Sequence, residues 1–304
     1  MASRVFRAYN RLMQRYSSLW FRPVLGTPPV EATPGAAVTV YTPLNRTACR
    51  PYLAGIKSLL RFLPEVAVAV QDDGSLTADQ KSELAAHVKG IAIYDRASLD
   101  AAIQAAVPQV VLSALPPLDR CHVMVPLKLL GIFARYHQQR VVLFDSDILC
   151  LRRPDFIVDW IVSRPACDFY GGGGSLLAPV FRTIGFGFQA VDIDNFNSGL
   201  VGLHNDFPFG LLGDVIGRVR AFDERLFGNW EIEQAIWAVL FDRKANAVNL
   251  DTLGAPYIGS GWRHYRELRE RAVFAHFVGA IRFKNLRYLR LAYDVIRELK
   301  DTHP

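Results

Sequence analysis

The sequence predicts an α/β fold, with a mostly parallel central sheet flanked by helices. Three observations predict it. Short apolar runs rich in valine and isoleucine alternate with amphipathic stretches from residue 37 to residue 144, and such alternation places helices over both faces of a parallel sheet. The chain has 304 residues and is 51% hydrophobic, enough to bury the core of one large α/β domain and to exclude disorder for its bulk. No run reaches the roughly 18 apolar residues a membrane span needs.

Residues 1–22 read as a short basic helix. Val5, Phe6, Tyr9, Leu12, Met13, Tyr16 and Leu19 recur at helical spacing, with Arg4, Arg7, Arg11 and Arg15 between them. Two readings stay open: a terminal helix docked on the domain, or a peripheral contact with an anionic membrane. The arginines also interrupt any signal peptide. Residues 23–36 carry Pro23, Pro28, Pro29 and Pro34 and read as a linker. The compact domain is expected over residues 37–304.

Residues 37–42 read as a buried strand, 47–63 as a helix, and 66–70 as a strand ending in Gln71-Asp72-Asp73-Gly74. Thr77-Ala78-Asp79-Gln80 is a capping box that opens another helix. A strand over 91–94, helices over 99–106 and 125–136, and a strand over 141–144 follow. Beyond that point the pattern loosens. A four-glycine run, Gly171–Gly174, is either flexible or pressed close to something. Strands are expected over 200–203 and 273–277, and helices over 230–241 and 286–299.

The net charge is +6, and the cations are scattered. A nucleic-acid binder concentrates them, so no nucleic-acid partner is expected, and an anionic small substrate suits the surplus. Cys49, Cys121, Cys150 and Cys167 lie far apart and form no zinc pattern. Scattered single thiols suit a reducing compartment, so the expected location is cytoplasmic, with peripheral membrane contact as the open addition.

Four clusters carry chemistry. Val141-Val142-Leu143-Phe144 runs into Asp145-Ser146-Asp147, two carboxylates at the carboxyl end of a strand, where α/β sheets bind ligands. A divalent cation relieves their repulsion, and hard oxygen ligands suit manganese or magnesium. The ordinary alternative is an aspartate capping a turn. Asp192-Ile193-Asp194-Asn195-Phe196-Asn197-Ser198-Gly199 offers amides and hydroxyls suited to sugar hydroxyls, or an Asx turn before a strand. Glu231-Ile232-Glu233-Gln234 sits where first-turn acids complement a helix dipole. His276-Phe277-Val278-Gly279, with Arg282 and Lys284 after it, can complete a metal site and neutralise phosphate, although a histidine there is often a satisfied core residue.

Taken in this order, the clusters resemble the GT-A fold (Rossmann-like) glycosyltransferases, and among them the family 8 retaining enzymes that include glycogenin. Those combine an apolar strand ending in D-x-D, an F-N-[SA]-G strand start, a [DE]-Q helix, H-x-x-G with a basic residue, and a K-L pair before the D-x-D strand. This chain has Lys128-Leu129, Asp145-Ser146-Asp147, Phe196-Asn197-Ser198-Gly199, Glu233-Gln234 and His276-Phe277-Val278-Gly279. The resemblance spans residues 37–284.

It implies the transfer of a sugar from a nucleotide-diphosphate sugar, a UDP-sugar, to an acceptor, with retention and with manganese or magnesium. Asp147 and His276 would ligate the metal, and Asp145 would touch both metal and ribose. Lys128 and Arg282 would hold the sugar or diphosphate. Thr42, Ser146 and Gly279 would line the donor side. Asp194, Asn197, Glu233 and Gln234 would line the sugar and acceptor side, with Asp194 or Glu233 as nucleophile if attack is not from the front face. A ligating histidine is neutral, so activity is expected to fall in mild acid. Two departures stand out. H-x-x-G is followed by Arg282-Phe283-Lys284 rather than K-P-W, and a guanidinium meets diphosphate differently from an ammonium. The first strand ends in Thr42-Pro43-Leu44-Asn45 rather than T-N-x-x-Y, so base recognition does not carry over.

Two competing readings remain. One is a haloacid-dehalogenase-like phosphohydrolase, which also places D-x-D after an apolar strand. Its motif lies near the start of its domain and is followed by threonine or valine where this chain has Leu149. The other is a non-catalytic nucleotide-sugar-binding protein. The acceptor is a glycan, a lipid or a protein, and the aromatic-rich stretch 181–196 is where it is expected to bind.

Overall fold

The computed structural model describes the whole chain except residues 1–8, 10–11, 14–15, 64, 245, 254–255, 261–263, 279–281, 284–285 and 302–304. The strands among the described residues are β1 Val30–Glu31, β2 Val38–Leu44, β3 Ala67–Asp72, β4 Val88–Lys89, β5 Ala92–Tyr94, β6 Arg140–Phe144, β7 Ile148–Cys150, β8 Asp168–Gly171, β9 Asn197–His204, β10 Ala247–Asn249, β11 Ile258–Ser260 and β12 Phe274–His276. Seven of them form the central sheet in the order β10-β8-β9-β6-β2-β3-β5. Every neighbouring pair is parallel except the two made by β9, which runs against both β6 and β8.

The alternation within β6 divides the interior in two. Val142 and Phe144 join a core with the Cys49–Leu60 and Arg287–Asp301 helices. Val141 and Leu143 join a second core with the Arg96–Ala106, Phe209–Asp223 and Ile232–Asp242 helices. All four side chains are fully buried, which is why this strand reads as a continuous apolar run.

The first half follows its sequence pattern closely. The expected strands and helices are present with shifted ends, and Thr77 and Gln80 close their capping box. The expected helix over 125–136 divides into a π-helical turn, Val125–Leu130, and an α-helix, Gly131–Tyr136. The second half holds elements absent from the sequence reading: β7, β8, β10, β11 and helices Asp155–Ser163, Ala178–Thr183, Phe209–Asp223 and Tyr265–Arg271. The Phe209–Asp223 helix contains Gly210, Gly213 and Gly217, each costing about 1 kcal/mol in helix propensity, so packing rather than propensity holds it.

The N-terminal segment is docked. Residues 16–20 are helical, Met13, Ser17 and Phe21 are buried, and Ser17 Oγ donates to the Thr47 carbonyl at 2.7 Å. The proline-rich stretch read as a linker also packs on the domain. Val24 is fully buried, β1 pairs with β4, and the buried Lys57 ammonium donates to Thr27 Oγ1 at 2.5 Å. Among the described residues no helix is long and apolar enough to cross a membrane.

Candidate active site

The central feature is the turn from β6 into β7, which carries Asp145-Ser146-Asp147. Strand β6 ends at Phe144, and the Asp145 amide donates to the Gly199 carbonyl of β9 at 2.8 Å. The site therefore lies beside the one reversed strand of the sheet. Strand β7 leaves the main sheet and pairs antiparallel with β12, in the register His276 to Ile148. That register sets His276 beside the turn.

The result is a compact cluster. His276 Nε2 lies 3.3 Å from Asp147 Oδ1 and 4.0 Å from Asp145 Oδ2. Ligand atoms from Asp145, Asp147 and His276 all fall within 4.8 Å of one another. The remaining carboxylate oxygens face cations: Lys128 Nζ meets Asp145 Oδ1 at 2.7 Å and Arg282 Nη2 meets Asp147 Oδ2 at 2.5 Å. Each carboxylate is thus oriented by a cation on one oxygen and faces the imidazole with the other. Two hard oxygens and one imidazole nitrogen in that space fit a manganese or magnesium ion.

Lys128 reaches the cluster from the π-helical turn. This wider turn, a form common at functional sites, leaves the Leu127 carbonyl to accept from Tyr41 Oη at 2.7 Å. The ammonium is buried. Burial alone would lower its pKa, but the carboxylates of Asp145, Glu233 and Asp147 outweigh burial and raise it. Asp147 is held well below the usual carboxylate range, because the charges of Arg282 and His276 outweigh its burial.

Glu233 stands on the first turn of the Ile232–Asp242 helix. Burial pushes its carboxyl up to about 7, opposed by Lys128 and assisted by Asp145. Ser198 Oγ donates to Glu233 Oε2 at 3.1 Å. The neighbouring Gln234 Oε1 accepts from the Ser198 amide at 3.4 Å, and its buried Nε2 has no partner among the described residues, an exception to the rule that buried polar groups are paired.

Gly199 makes this packing possible. A Cβ there would stand 2.9 Å from His276 Nε2, 2.8 Å from Asn197 Oδ1, and closer still to His276 Cε1. The four-glycine run is likewise pressed close: a side chain on Gly172 would strike Asp251, and the Gly173 amide donates to Asn195 Oδ1 at 3.0 Å.

These groups line one cleft of about 380 Å³. Lys128, Asp145, Ser146, Asp147, Asn197, Glu233, Gln234, His276 and Arg282 all face it. Two expected site residues do not. Thr42 is fully buried beneath the cleft, its Oγ1 donating to the Phe144 carbonyl at 2.6 Å; Pro43, Leu44 and Asn45 line the cleft instead. Asp194 lies outside the lining, exposed and ion-paired with Arg182. The 3₁₀ turn Ile193–Asn195 carries it, with its carboxylate at the surface. Gly279 and Lys284 lie outside the described residues. The aromatic stretch expected to bind the acceptor is mostly interior: Phe181, Phe186 and Phe196 are core residues.

The sequence reading missed Asp73, His122, Met124 and Trp230, all in the cleft lining. Trp230 is half exposed. Its turn is fixed from both sides, because the Glu231 amide donates to Asn229 Oδ1 at 2.9 Å and Glu231 Oε2 accepts from the Leu176 amide at 2.6 Å. An exposed tryptophan next to the motif Glu231-Ile232-Glu233-Gln234 was the available signal.

No family model matches the sequence, and no curated protein matches it. Comparison of folds gives matches among solved structures. The galactosyltransferase LgtC, solved in complex with donor and acceptor sugar analogues, is 14% identical, with a TM-score of 0.51 over 84% of this chain and 95% of that one. Mouse xyloside xylosyltransferase 1, solved in its apo form, is 12% identical, with a TM-score of 0.50 over 82% of this chain and 98% of that one. At these identities the likeness is one of fold, and the fold is that of the GT-A glycosyltransferases.

Proposed function

We propose that this chain is a metal-dependent glycosyltransferase of the family 8 kind, which moves a sugar from a UDP-sugar to a saccharide acceptor with retention. The observation that carries the reading is the cluster of Asp145, Asp147 and His276, flanked by Lys128 and Arg282 in one cleft. Phosphohydrolases of the haloacid-dehalogenase kind carry the motif near the start of the domain; here it follows β6, with β2, β3 and β5 of the same sheet before it in the chain.

Asp145, Asp147 and His276 would hold the divalent ion, which when bound neutralises charge on the diphosphate leaving group. The buried Lys128 and the partly buried Arg282 are the cations that flank that cluster. In the free protein they pair with the two aspartates; with donor bound they are placed to share their hydrogens with phosphate oxygens. Asn197 and the unpaired Gln234 Nε2 offer polar contacts for the transferred sugar. Ser198 fixes the Glu233 carboxyl between them.

For retention, the placement of Asp194 outside the cleft leaves Glu233 as the named carboxylate that faces it. A carboxyl pushed up to about 7 is about half protonated near neutral pH, which makes it a weak nucleophile and a good hydrogen-bonding partner. That supports front-face attack by the acceptor hydroxyl, with Glu233 positioning groups rather than forming a glycosyl-enzyme. Trp230, half exposed at the same cleft, supports a saccharide acceptor, because a flat indole stacks on the apolar face of a pyranose.

The test is release of UDP from UDP-sugars with manganese present. Asp147→Asn keeps the shape and removes a charge, and is expected to remove most turnover while the melting curve persists. Full activity in that variant, or in excess chelator, would sink the metal-dependent reading. Turnover of a generic phosphatase substrate would favour the phosphohydrolase, and nucleotide-sugar binding without turnover the non-catalytic reading.

A further inference from the structure

The N-terminal segment shows two faces. Met13, Ser17 and Phe21 are buried against the domain. Tyr9, Leu12, Tyr16 and Leu19 are exposed, at 38%, 54%, 41% and 56%. Their spacing of three, four and three residues sets them in one stripe of a helix. Isolated exposed leucines are ordinary, but a stripe of four large apolar side chains on one face is not a packing by-product.

The charge of this segment's sequence has one sign. Residues 1–22 contain five arginines, Arg4, Arg7, Arg11, Arg15 and Arg22, and no aspartate or glutamate. The closing helix Arg287–Asp301 adds to it. Tyr293 Oη donates to the Trp20 carbonyl at 2.8 Å, so this helix lies alongside, and its exposed residues there are Arg290, Tyr293 and Arg297. Of its acids, Asp294 pairs with Arg297 and Tyr265, Glu298 with Arg61 and Arg269, and Asp301 is exposed at its end.

We infer that this face is a docking surface for an anionic lipid bilayer, with the N-terminal helix lying in the plane of the interface. The occupant follows from the pairing of features. Arginines beside leucine and tyrosine are what an interfacial helix uses, apolar side chains entering the acyl boundary and cations meeting the headgroups. A polyanion such as RNA would be served by the charges but not by exposed Leu12 and Leu19. The segment also touches the loop that carries Arg282: Tyr9 Oη donates to the Phe283 carbonyl at 3.3 Å, and Trp20 packs edge-on against the Phe283 ring. A docked molecule would therefore hold its cleft close to the bilayer surface.

The experiment is co-sedimentation of the full chain with vesicles of phosphatidylcholine alone, or of phosphatidylcholine with phosphatidylglycerol. Binding is expected on the anionic vesicles only, with loss as salt rises past physiological strength, where screening acts within about 8 Å. The double change Leu12→Asp and Leu19→Asp is expected to lower partition about tenfold or more with the melting temperature unchanged, because both side chains face solvent. Arg290→Glu is expected to lower it by roughly fivefold or more, on the scale of one surface charge. Equal pelleting on both vesicle types, or none on either, overturns the proposal. So does binding that the leucine changes leave intact and that added RNA competes away, which would make the face a polyanion site.

Discussion

Replacing Gly199 by alanine tests the site through a single methyl group. The added Cβ would sit 2.9 Å from His276 Nε2 and 2.8 Å from Asn197 Oδ1, and nearer still to His276 Cε1. Ordinary contact begins near 3.4 Å, so the imidazole must move by about 1 Å or the strand must bend away. The ring has little room, since His276 is 5% exposed and its strand is locked to β7 by register. On the β6 side the strand is held too, because the Gly199 carbonyl accepts from the Asp145 amide; toward β8 it falls in a register irregularity, where any bend would have to be taken up. Overpacking of this kind costs about 1–3 kcal/mol of stability. The larger effect falls on function: if His276 ligates the proposed metal, moving it by about 1 Å is on the scale that costs roughly a hundredfold in rate. Calorimetric titration of manganese in the presence of UDP is the direct assay, with the melting temperature as control for folding. The expected result is a folded protein with manganese affinity lowered tenfold or more. A Gly199→Ala protein with unchanged manganese affinity and turnover would refute the argument that His276 completes the metal site.

Three further outcomes are expected. Lys128→Met removes a cation that faces Asp145, Glu233 and Asp147; charge-assisted contacts are worth about 1.5–3 kcal/mol, so donor affinity should fall tens-fold by calorimetry, and an unchanged value would confine Lys128 to orienting Asp145. Glu233 is protonated in the fold over the range from its ordinary 4.5 to about 7 while the unfolded chain is ionised; native stability should therefore fall with rising pH across that window, by about 3 kcal/mol, and chemical denaturation at several pH values should show Glu233→Gln free of that slope. Trp230→Ala should raise acceptor KM severalfold, matching about 0.5–1.5 kcal/mol for aromatic contact, while hydrolysis of donor in the absence of acceptor stays constant.

What could be read from the sequence follows from how local its causes are. Strand β6 announced itself because it is buried on both faces and ends in two charges, and the capping box of Thr77 and Gln80 is a four-residue device. Strands β7, β8, β10 and β11 were not readable: each has three or four residues and owes its place to a partner distant in sequence. The same holds within the site. Asp147 and His276 were named by type and order, but their meeting depends on the β7–β12 register, which no local pattern encodes. Asp194 misled because its segment has the composition of a ligand loop; only the Arg182 ion pair reveals that it points outward. Thr42 misled for the converse reason, since a threonine at a strand end serves equally as a cross-strand donor to Phe144. A docked terminal helix was one of the two open readings; what the prolines of residues 23–36 hid is that this stretch packs on the domain, since they mark a turn in the chain path and say nothing about whether Val24 and Thr27 are buried.

The charges of the cluster constrain how it can be filled. Asp145 and Asp147 are offset by Lys128 and Arg282, and Glu233 is driven toward its neutral form by burial. Within the cluster the charges of Asp145, Asp147, Lys128 and Arg282 therefore cancel. A divalent ion entering alone would leave an uncompensated double charge among side chains of low exposure, and a diphosphate entering alone would leave the opposite excess; either is expensive in a poorly solvated space. Entering together they restore the balance, and the two aspartates can turn to the ion as Lys128 and Arg282 turn to phosphate. Metal and nucleotide are thus expected to bind with positive coupling, and linkage requires the effect to be equal in both directions. Titrating manganese with and without UDP, and UDP with and without manganese, measures both arms. Coupling in typical cases is about 1–3 kcal/mol, or roughly 5- to 150-fold. Independent binding of the two would mean that the aspartates and the cations do not exchange partners, and that the ion pairs seen in the free protein persist with donor bound.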